Sequence, residues 1–338
     1  MHITFVDLFA GIGGFRCALQ FKGAQCILSN EIDKHSLKTY SSWYGNEQLN
    51  SSDIRSINIS KDIPKHDILC AGFPCQPFSL AGVSKKNSLG KSHGLNDQKS
   101  GDLFFKILEV VSKKRPKVIF LENVKNLKSH DKGRTFQTVV NIIQDNGYSV
   151  FFDVLNTCDY TKIPQNRERT FLICFRGEHN WEFSRKKNLV SREFAKRFPP
   201  KRVKSNKGIQ DFLESGEVME NFYYRQDKYM YPELRKTMKS KDTLYQWRRQ
   251  YVRENKNNRC PTLTANMGTG GHNVPLVLTD DGYRKLTPRE CFNFQGFPKG
   301  FKIPKEMANS HLYKQAGNAV SVPLITVLAK AIKESLVI

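Results

Sequence analysis

The run ITFVDLFAGIGGF, residues 3 to 15, sets an apolar, β-rich segment (Ile3 to Phe9) directly before glycines at positions 11, 13 and 14, and then the helical spacing of Phe15 to Phe21. A strand that passes through glycines into a helix lets the backbone turn sharply and approach a ligand closely. Further short apolar runs follow at Cys26 to Ser29, Ile68 to Ala71, Val118 to Leu121, Val150 to Leu155 and Thr170 to Phe175. Helically spaced stretches lie among them at Leu103 to Ser112 and Thr135 to Asp145, and Pro323 to Leu336 reads as a last helix. Strands alternating with helices predict a doubly wound, mostly parallel α/β sheet covered on both faces.

The glycine turn is not G-x-G-x-x-G. The spacing Gly11, Gly13, Gly14, opened by Asp7, suits the methionine part of S-adenosylmethionine better than a pyrophosphate. Glu31 falls about twenty residues further on, at the end of the second predicted strand, where a carboxylate can accept from both ribose hydroxyls. Asp53 is placed to accept from an adenine amino group, with Ile54 against the ring.

The octapeptide GFPCQPFS at residues 72 to 79 follows the apolar run Asp67 to Ala71. Pro74 and Pro77 each fix φ near about −65° and lack an N–H, so strand pairing stops and Cys75 is held out on a defined turn. A thiol there is a nucleophile suited to electron-poor carbons. An isolated Pro-Cys pair is more often a buried structural cysteine; the neighbours of this one alter the balance. KVIFLENV brings Glu122 to a strand terminus, and QNRERT at 165 to 170 sets Arg167 and Arg169 just before another strand. Ends of parallel strands share one rim, so a nucleophile, a carboxyl group and two guanidiniums are expected to converge.

The chain of 338 residues carries 54 Lys and Arg against 32 Asp and Glu, a formal charge of +22, which favours a polyanionic partner such as nucleic acid. Ser184 to Lys207 holds ten basic residues and one acid, and Phe222 to Arg259 interleaves eleven basic residues with Tyr223, Tyr224, Tyr229, Tyr231, Tyr245, Trp247 and Tyr251. That mixture suits phosphate contacts combined with base or sugar contacts. The expected organisation is a catalytic and cofactor-binding domain at 1–177, an inserted small domain at 178–286, and a return to the large domain at 287–338. No apolar stretch approaches the length of a membrane span and no signal peptide is visible, so a cytoplasmic protein that contacts no membrane is expected. The eight cysteines show no metal-ligand spacing, so no metal is expected; they read as reduced thiols, all but Cys75 packing.

Taken together, DLFAGIGGF, NEID (30–33), GFPCQPFS, GDLFF (101–105), ENV, QNRER, TLTANMGTGG (262–271) and QAGNAV (315–320) resemble, in order and over almost the whole chain, the bacterial DNA (cytosine-5) methyltransferases of restriction-modification systems. The resemblance implies the S-adenosylmethionine-dependent methyltransferase fold with a target-recognition domain between QNRER and TLTAN. It implies double-stranded DNA as substrate, S-adenosyl-L-methionine as cofactor, a monomer, and a cognate restriction endonuclease as functional rather than physical partner. It also implies a flipped cytosine, with Cys75 adding to carbon 6 and methyl transfer to carbon 5. Glu122 would donate to N3, Arg169 bind O2, Arg167 help hold the site, and Pro74 offer its carbonyl to the exocyclic amine. Toward the cofactor, Phe9 would stack near the adenine, Leu103 line the pocket and Asn318 contact the methionine end. Ile32 stands where some relatives carry Trp.

Three other readings stay open on the residues alone: the same chemistry on tRNA, a DNA-binding module without activity, and a nicotinamide-dependent oxidoreductase. The long basic insert favours duplex DNA over tRNA. Cys75, Glu122, Arg167 and Arg169 together argue against an inactive module, and the glycine spacing argues against the oxidoreductase.

Overall fold

A computed structural model describes residues 2–73, 102–183, 196–269 and 273–336. Pro74, Cys75 and the segment 80–100 lie outside the described residues.

The large lobe runs β1 (Thr4–Leu8), α1 (Gly14–Phe21), β2 (Gln25–Asn30), α2 (Lys34–Tyr44), β3 (Leu49–Asn50), α3 (Ile59–Asp62), β4 (Ile68–Gly72), α4 (Asp102–Lys114), β5 (Val118–Val124), α5 (Arg134–Asp145), β6 (Tyr148–Asn156), α6 (Thr157–Tyr160) and β7 (Glu168–Arg176). Its seven strands are ordered β3-β2-β1-β4-β5-β7-β6. Pairings from β3 to β5 are parallel, whereas β7 runs antiparallel to both β5 and β6.

The apolar runs are continuous because the sheet is buried on both faces. Ile68 and Cys70 of β4, with Val118 and Phe120 of β5, enter one core cluster. Their alternate neighbours Leu69, Ala71, Ile119 and Leu121 enter the other. α4 and α5 contribute Phe104, Ile107, Phe136 and Val140 to the second cluster. The first is covered by α1 and by a C-terminal helix that packs on it.

Beyond β7, β8 (Trp181–Phe183) and β9 (Lys196–Phe198) form a two-stranded parallel ribbon whose Trp181 and Phe198 pack against Phe151 of the large lobe. α7 (Tyr231–Thr237) then precedes a four-stranded antiparallel sheet ordered β11-β10-β12-β13, built from β10 (Tyr245–Arg248), β11 (Tyr251–Glu254), β12 (Leu276–Thr279) and β13 (Gly282–Lys285). Met230, Leu234, Met238, Tyr245, Val252 and Leu276 form its separate small core. Trp181, Phe198, Ile209, Phe212 and Phe222 belong instead to the first large-lobe cluster.

The chain closes with α8 (Pro288–Gln295), α9 (Asn309–Asn318) and α10 (Val322–Leu336). Thr287 and Glu290 form a reciprocal capping box that starts α8, with Pro288 at its first position. Among the described residues no helix is long and apolar enough to cross a membrane. Cys26, Cys70, Cys158, Cys174, Cys260 and Cys291 are buried and Cys17 is half-buried.

Candidate active site

The carboxyl ends of β1, β2, β4 and β5 open on one rim, and a cavity of about 550 Å³ lies against it. Arg167 and Arg169 reach that rim for a reason different from the one expected. Residues that precede a parallel strand sit at the opposite edge; these sit beside Glu122 because β7 is antiparallel, which pairs Val124 with Arg169 and Glu122 with Phe171.

Glu122 is 8% exposed, and Arg169 Nε lies 3.2 Å from its Oε1. Burial pushes its carboxyl above the ordinary range, and the opposing fields of Arg169 and Arg167 do not cancel that rise. A carboxyl group that keeps its proton to higher pH than a free one therefore sits at the rim, with a guanidinium beside it. Asn123 Nδ2 donates to the Phe73 carbonyl at 2.9 Å, and its Oδ1 accepts from the Val124 N–H at 2.8 Å. That clamp joins the end of β5 to the chain leaving β4, the last described residue before Pro74.

Arg167 is 1% exposed and, among the described residues, its hydrogen bonds include no carboxylate. Its guanidinium donates to the carbonyls of Leu263 (3.0 Å), Gly317 (3.0 Å) and Ala319 (2.7 Å). Burial pulls its pKa down to about 9. The segment before it is held by Asn166 N–H to Cys260 O at 2.8 Å and Cys260 N–H to Pro164 O at 2.6 Å. QNRER, TLTAN and QAGNAV, separated by up to 152 residues, thus meet around one side chain. Gly317 permits the contact: a Cβ there would overlap the Thr264 carbonyl. Arg167→Met leaves three buried carbonyls without this donor and is expected to cost about 3 kcal/mol or more, measured by urea unfolding. Arg167→Lys recovers only part of it, because an ammonium cannot spread over three acceptors as a planar fork does.

Phe9, Gly11, Gly14, Glu31, Ile32, Asp53, Ile54, Leu103 and Asn318 line the cavity together with Glu122, Arg167 and Arg169. Glu31 is held by backbone: Oε1 accepts from the Ile32 and Asp33 N–H groups and Oε2 from that of Gly11, each at 2.7 Å. An ionised carboxylate has about four acceptor positions, so capacity for a ligand hydroxyl remains. Asp53 is engaged by Arg55 through both carboxylate oxygens. Ile32 is 56% exposed at the cavity wall.

Asp7 and Gly13 do not line the cavity. Gly13 has φ +82° and caps α1, and a side chain there would run into the Tyr44 ring, so its place is packing against α2. Asp7 lies beneath the turn, fully buried; among the described residues neither carboxylate oxygen has a hydrogen-bond partner, although the Arg16 backbone N–H is near enough to oppose the effect of burial. Burial, reinforced by Glu31, raises its pKa from 3.8 to about 8. Between those two values the folded protein binds the proton that the unfolded chain has released, so the contribution of Asp7 to stability falls as pH rises through that window. Asp7→Asn is expected to remove this decline, seen as a flatter unfolding free energy between about pH 4 and about pH 8 than in the wild type.

Sequence reasoning missed a number of cavity residues, Asn123, His311, Lys314 and His35 among them. Asn123 stood unremarked beside Glu122. His311 and Lys314 precede Asn318 by seven and four positions on α9, the spacing of one helical face, so Asn318 itself was the signal that could have found them. His35 of α2 stacks on His311 with ring centroids 3.5 Å apart, and Lys314 pairs with Asp33 at 3.2 Å.

The profile of the C-5 cytosine-specific DNA methylase family matches residues 3–334. The chain is 47% identical over 339 residues to the Type II methyltransferase M.Bsp6I of Bacillus sp. (strain RFL6), covering 99% of each chain. It is 38% identical to the Type II methyltransferase M.HhaI of Haemophilus parahaemolyticus, covering 99% of this chain and 95% of that one. Among solved structures, a mutant of Spodoptera frugiperda DNMT2 shares the fold with a TM-score of 0.73 at 17% identity, over 98% of this chain and all of the other. A rim that gathers a buried acid, a guanidinium and a small-molecule cavity, read together with these matches, places the chain in the C-5 cytosine-specific DNA methylase family, as a DNA (cytosine-5)-methyltransferase.

Proposed function

We propose that the protein methylates carbon 5 of a cytosine flipped out of duplex DNA, with S-adenosyl-L-methionine as donor and Cys75 as covalent nucleophile, as the modification enzyme of a restriction-modification system. The observation that carries this reading is Glu122, a buried acid with a raised pKa beside Arg169, at the mouth of the same cavity that Glu31 and Asn318 line.

The cavity volume lies in the range of small-molecule sites. Its residues fit a nucleoside joined to an amino acid: the Glu31 carboxylate for a ribose hydroxyl, Phe9 and Ile54 as apolar walls for a flat ring, Asn318 for the far polar end. Asp53 takes an adenine amino group once it shares or releases Arg55. When bound, the donor supplies an electrophilic methyl group. The chain's own residues do the rest. Cys75 adds to cytosine carbon 6, which makes carbon 5 nucleophilic. Glu122 gives its proton to N3 as charge develops there, Arg169 binds O2, and the Pro74 carbonyl accepts from the exocyclic amine. Transfer of the carbon 5 proton to solvent water then expels Cys75 as a thiolate, and the N3 proton returns to Glu122. Arg167 acts at one remove, by holding the backbone on which Asn318 and the 263–265 segment sit.

Extrusion of the base costs a few kcal/mol, offset by phosphate contacts from the basic insert. In this reading 178–286 is the target-recognition domain between 1–177 and 287–338, and the protein works as a cytoplasmic monomer whose cognate endonuclease is a functional partner. Bisulfite sequencing of plasmid DNA incubated with the protein and S-adenosyl-L-methionine tests it. Conversion-resistant cytosines in one sequence context are expected; their absence from every context overturns the proposal.

A further inference from the structure

The four-stranded sheet of the small lobe has one face covered by its own core and another that divides. Tyr245 pairs with Leu276, and both enter the small core with Val252. Side chains alternate along a strand, so Gln246, Arg248, Tyr251 and Arg253 point from the opposite face. At the β12–β13 end that opposite face is buried on the large lobe: Val277 joins the first large-lobe cluster, and Arg284 forms a bidentate pair with Glu290 of α8 at 2.7 and 2.8 Å. At the β10–β11 end the same face overhangs, with Arg248 and Arg253 exposed and Tyr251 56% exposed. The edge hairpin therefore directs its polar row to the side of the sheet on which the large lobe lies.

Three members of the row, Gln246, Arg248 and Arg253, share one hydrogen-bonding character. Gln246 Oε1 accepts from Arg253 at 2.6 Å and from Arg248 at 3.2 Å. A guanidinium has no acceptor, so the amide must turn its oxygen to the arginines and its NH2 outward. Gln246, Arg248 and Arg253 together thus offer donors only. A two-stranded ribbon fits the major groove, where guanine presents N7 and O6 as adjacent acceptors and no donor; adenine and cytosine each present a donor.

We propose that the β10–β11 hairpin reads guanine in the major groove of the recognition sequence, through Arg248 and Arg253 held in register by Gln246. The proposal rests on the DNA-methylating reading above and names the base contact behind its sequence preference.

The test compares wild type, Arg248→Ala and Arg253→Ala on plasmid DNA mapped by bisulfite sequencing, and on duplexes with 7-deazaguanine, which lacks the N7 acceptor, at each recognised guanine in turn. The wild type is expected to require guanine at one or more positions besides the partner of the target, and to lose on the order of 10- to 100-fold in methylation rate when that base is changed. At least one variant is expected to lose that discrimination at one position, and to be indifferent there to the 7-deaza substitution that weakens the wild type. Variants that lose rate equally on all sequences, with a shallower salt dependence, would mark the arginines as phosphate contacts and overturn the proposal. So would a recognition sequence without such a guanine. Absence of methylation by the wild type on any DNA would instead overturn the function on which the proposal rests.

Discussion

A duplex with 5-fluorocytosine at the target position is expected to become covalently joined to the wild-type protein in the presence of S-adenosyl-L-methionine, and not to Cys75→Ser. Fluorine cannot leave carbon 5 as a proton does, so the bond from sulfur to carbon 6 persists once the methyl group has arrived. Cys75→Ser is expected to abolish turnover, because a hydroxyl has almost no anionic fraction at neutral pH whereas a thiol already has a few per cent. Cofactor binding, followed by calorimetry, should survive the substitution, since Phe9, Glu31, Ile54 and Asn318 of the cavity lining are left unchanged. A wild-type protein that methylates ordinary duplex yet never forms the adduct on denaturing gels would exclude the covalent route.

The second large effect concerns Glu122. Glu122→Gln keeps the shape of the side chain and its neighbour Arg169 but removes the transferable proton. A loss of on the order of 10²- to 10⁴-fold in single-turnover methylation is expected, the usual worth of a positioned general acid. DNA affinity should change far less. The pH profile supplies an independent check. The raised pKa of Glu122 means that the active, protonated form is lost as pH rises through that pKa, so this limb of the wild-type profile falls toward higher pH and is absent in Glu122→Gln. An equal loss in catalysis and in DNA binding would make Glu122 a structural partner of Arg169 instead.

Most of the sheet was legible because it is buried on both faces. Runs such as Val118 to Leu121 must be apolar at every position when Val118 and Phe120 face one core and Ile119 and Leu121 the other. The direction of β7 was not legible, since a run such as Thr170 to Phe175 looks the same read up or down the sheet. That direction puts Arg169 beside Glu122. The roles of Asp7 and Gly13 were equally hidden: both belong to the glycine turn by sequence, yet one lies beneath it and the other faces α2.

Local chemistry determined, without any coordinates, which residue types the protein has for its work: a glycine turn after a strand, a carboxylate twenty positions on, an acid at a strand end, and an aromatic basic insert. Such features depend on neighbours a few positions away, which a linear chain displays. Tertiary structure alone decided that Arg167 ties together carbonyls from Leu263, Gly317 and Ala319, that burial rather than pairing dominates at Glu122, and that one face of a small sheet is core at one end and a row of donors at the other. Those outcomes depend on which distant segments exclude water from one another, and that is a property of packing.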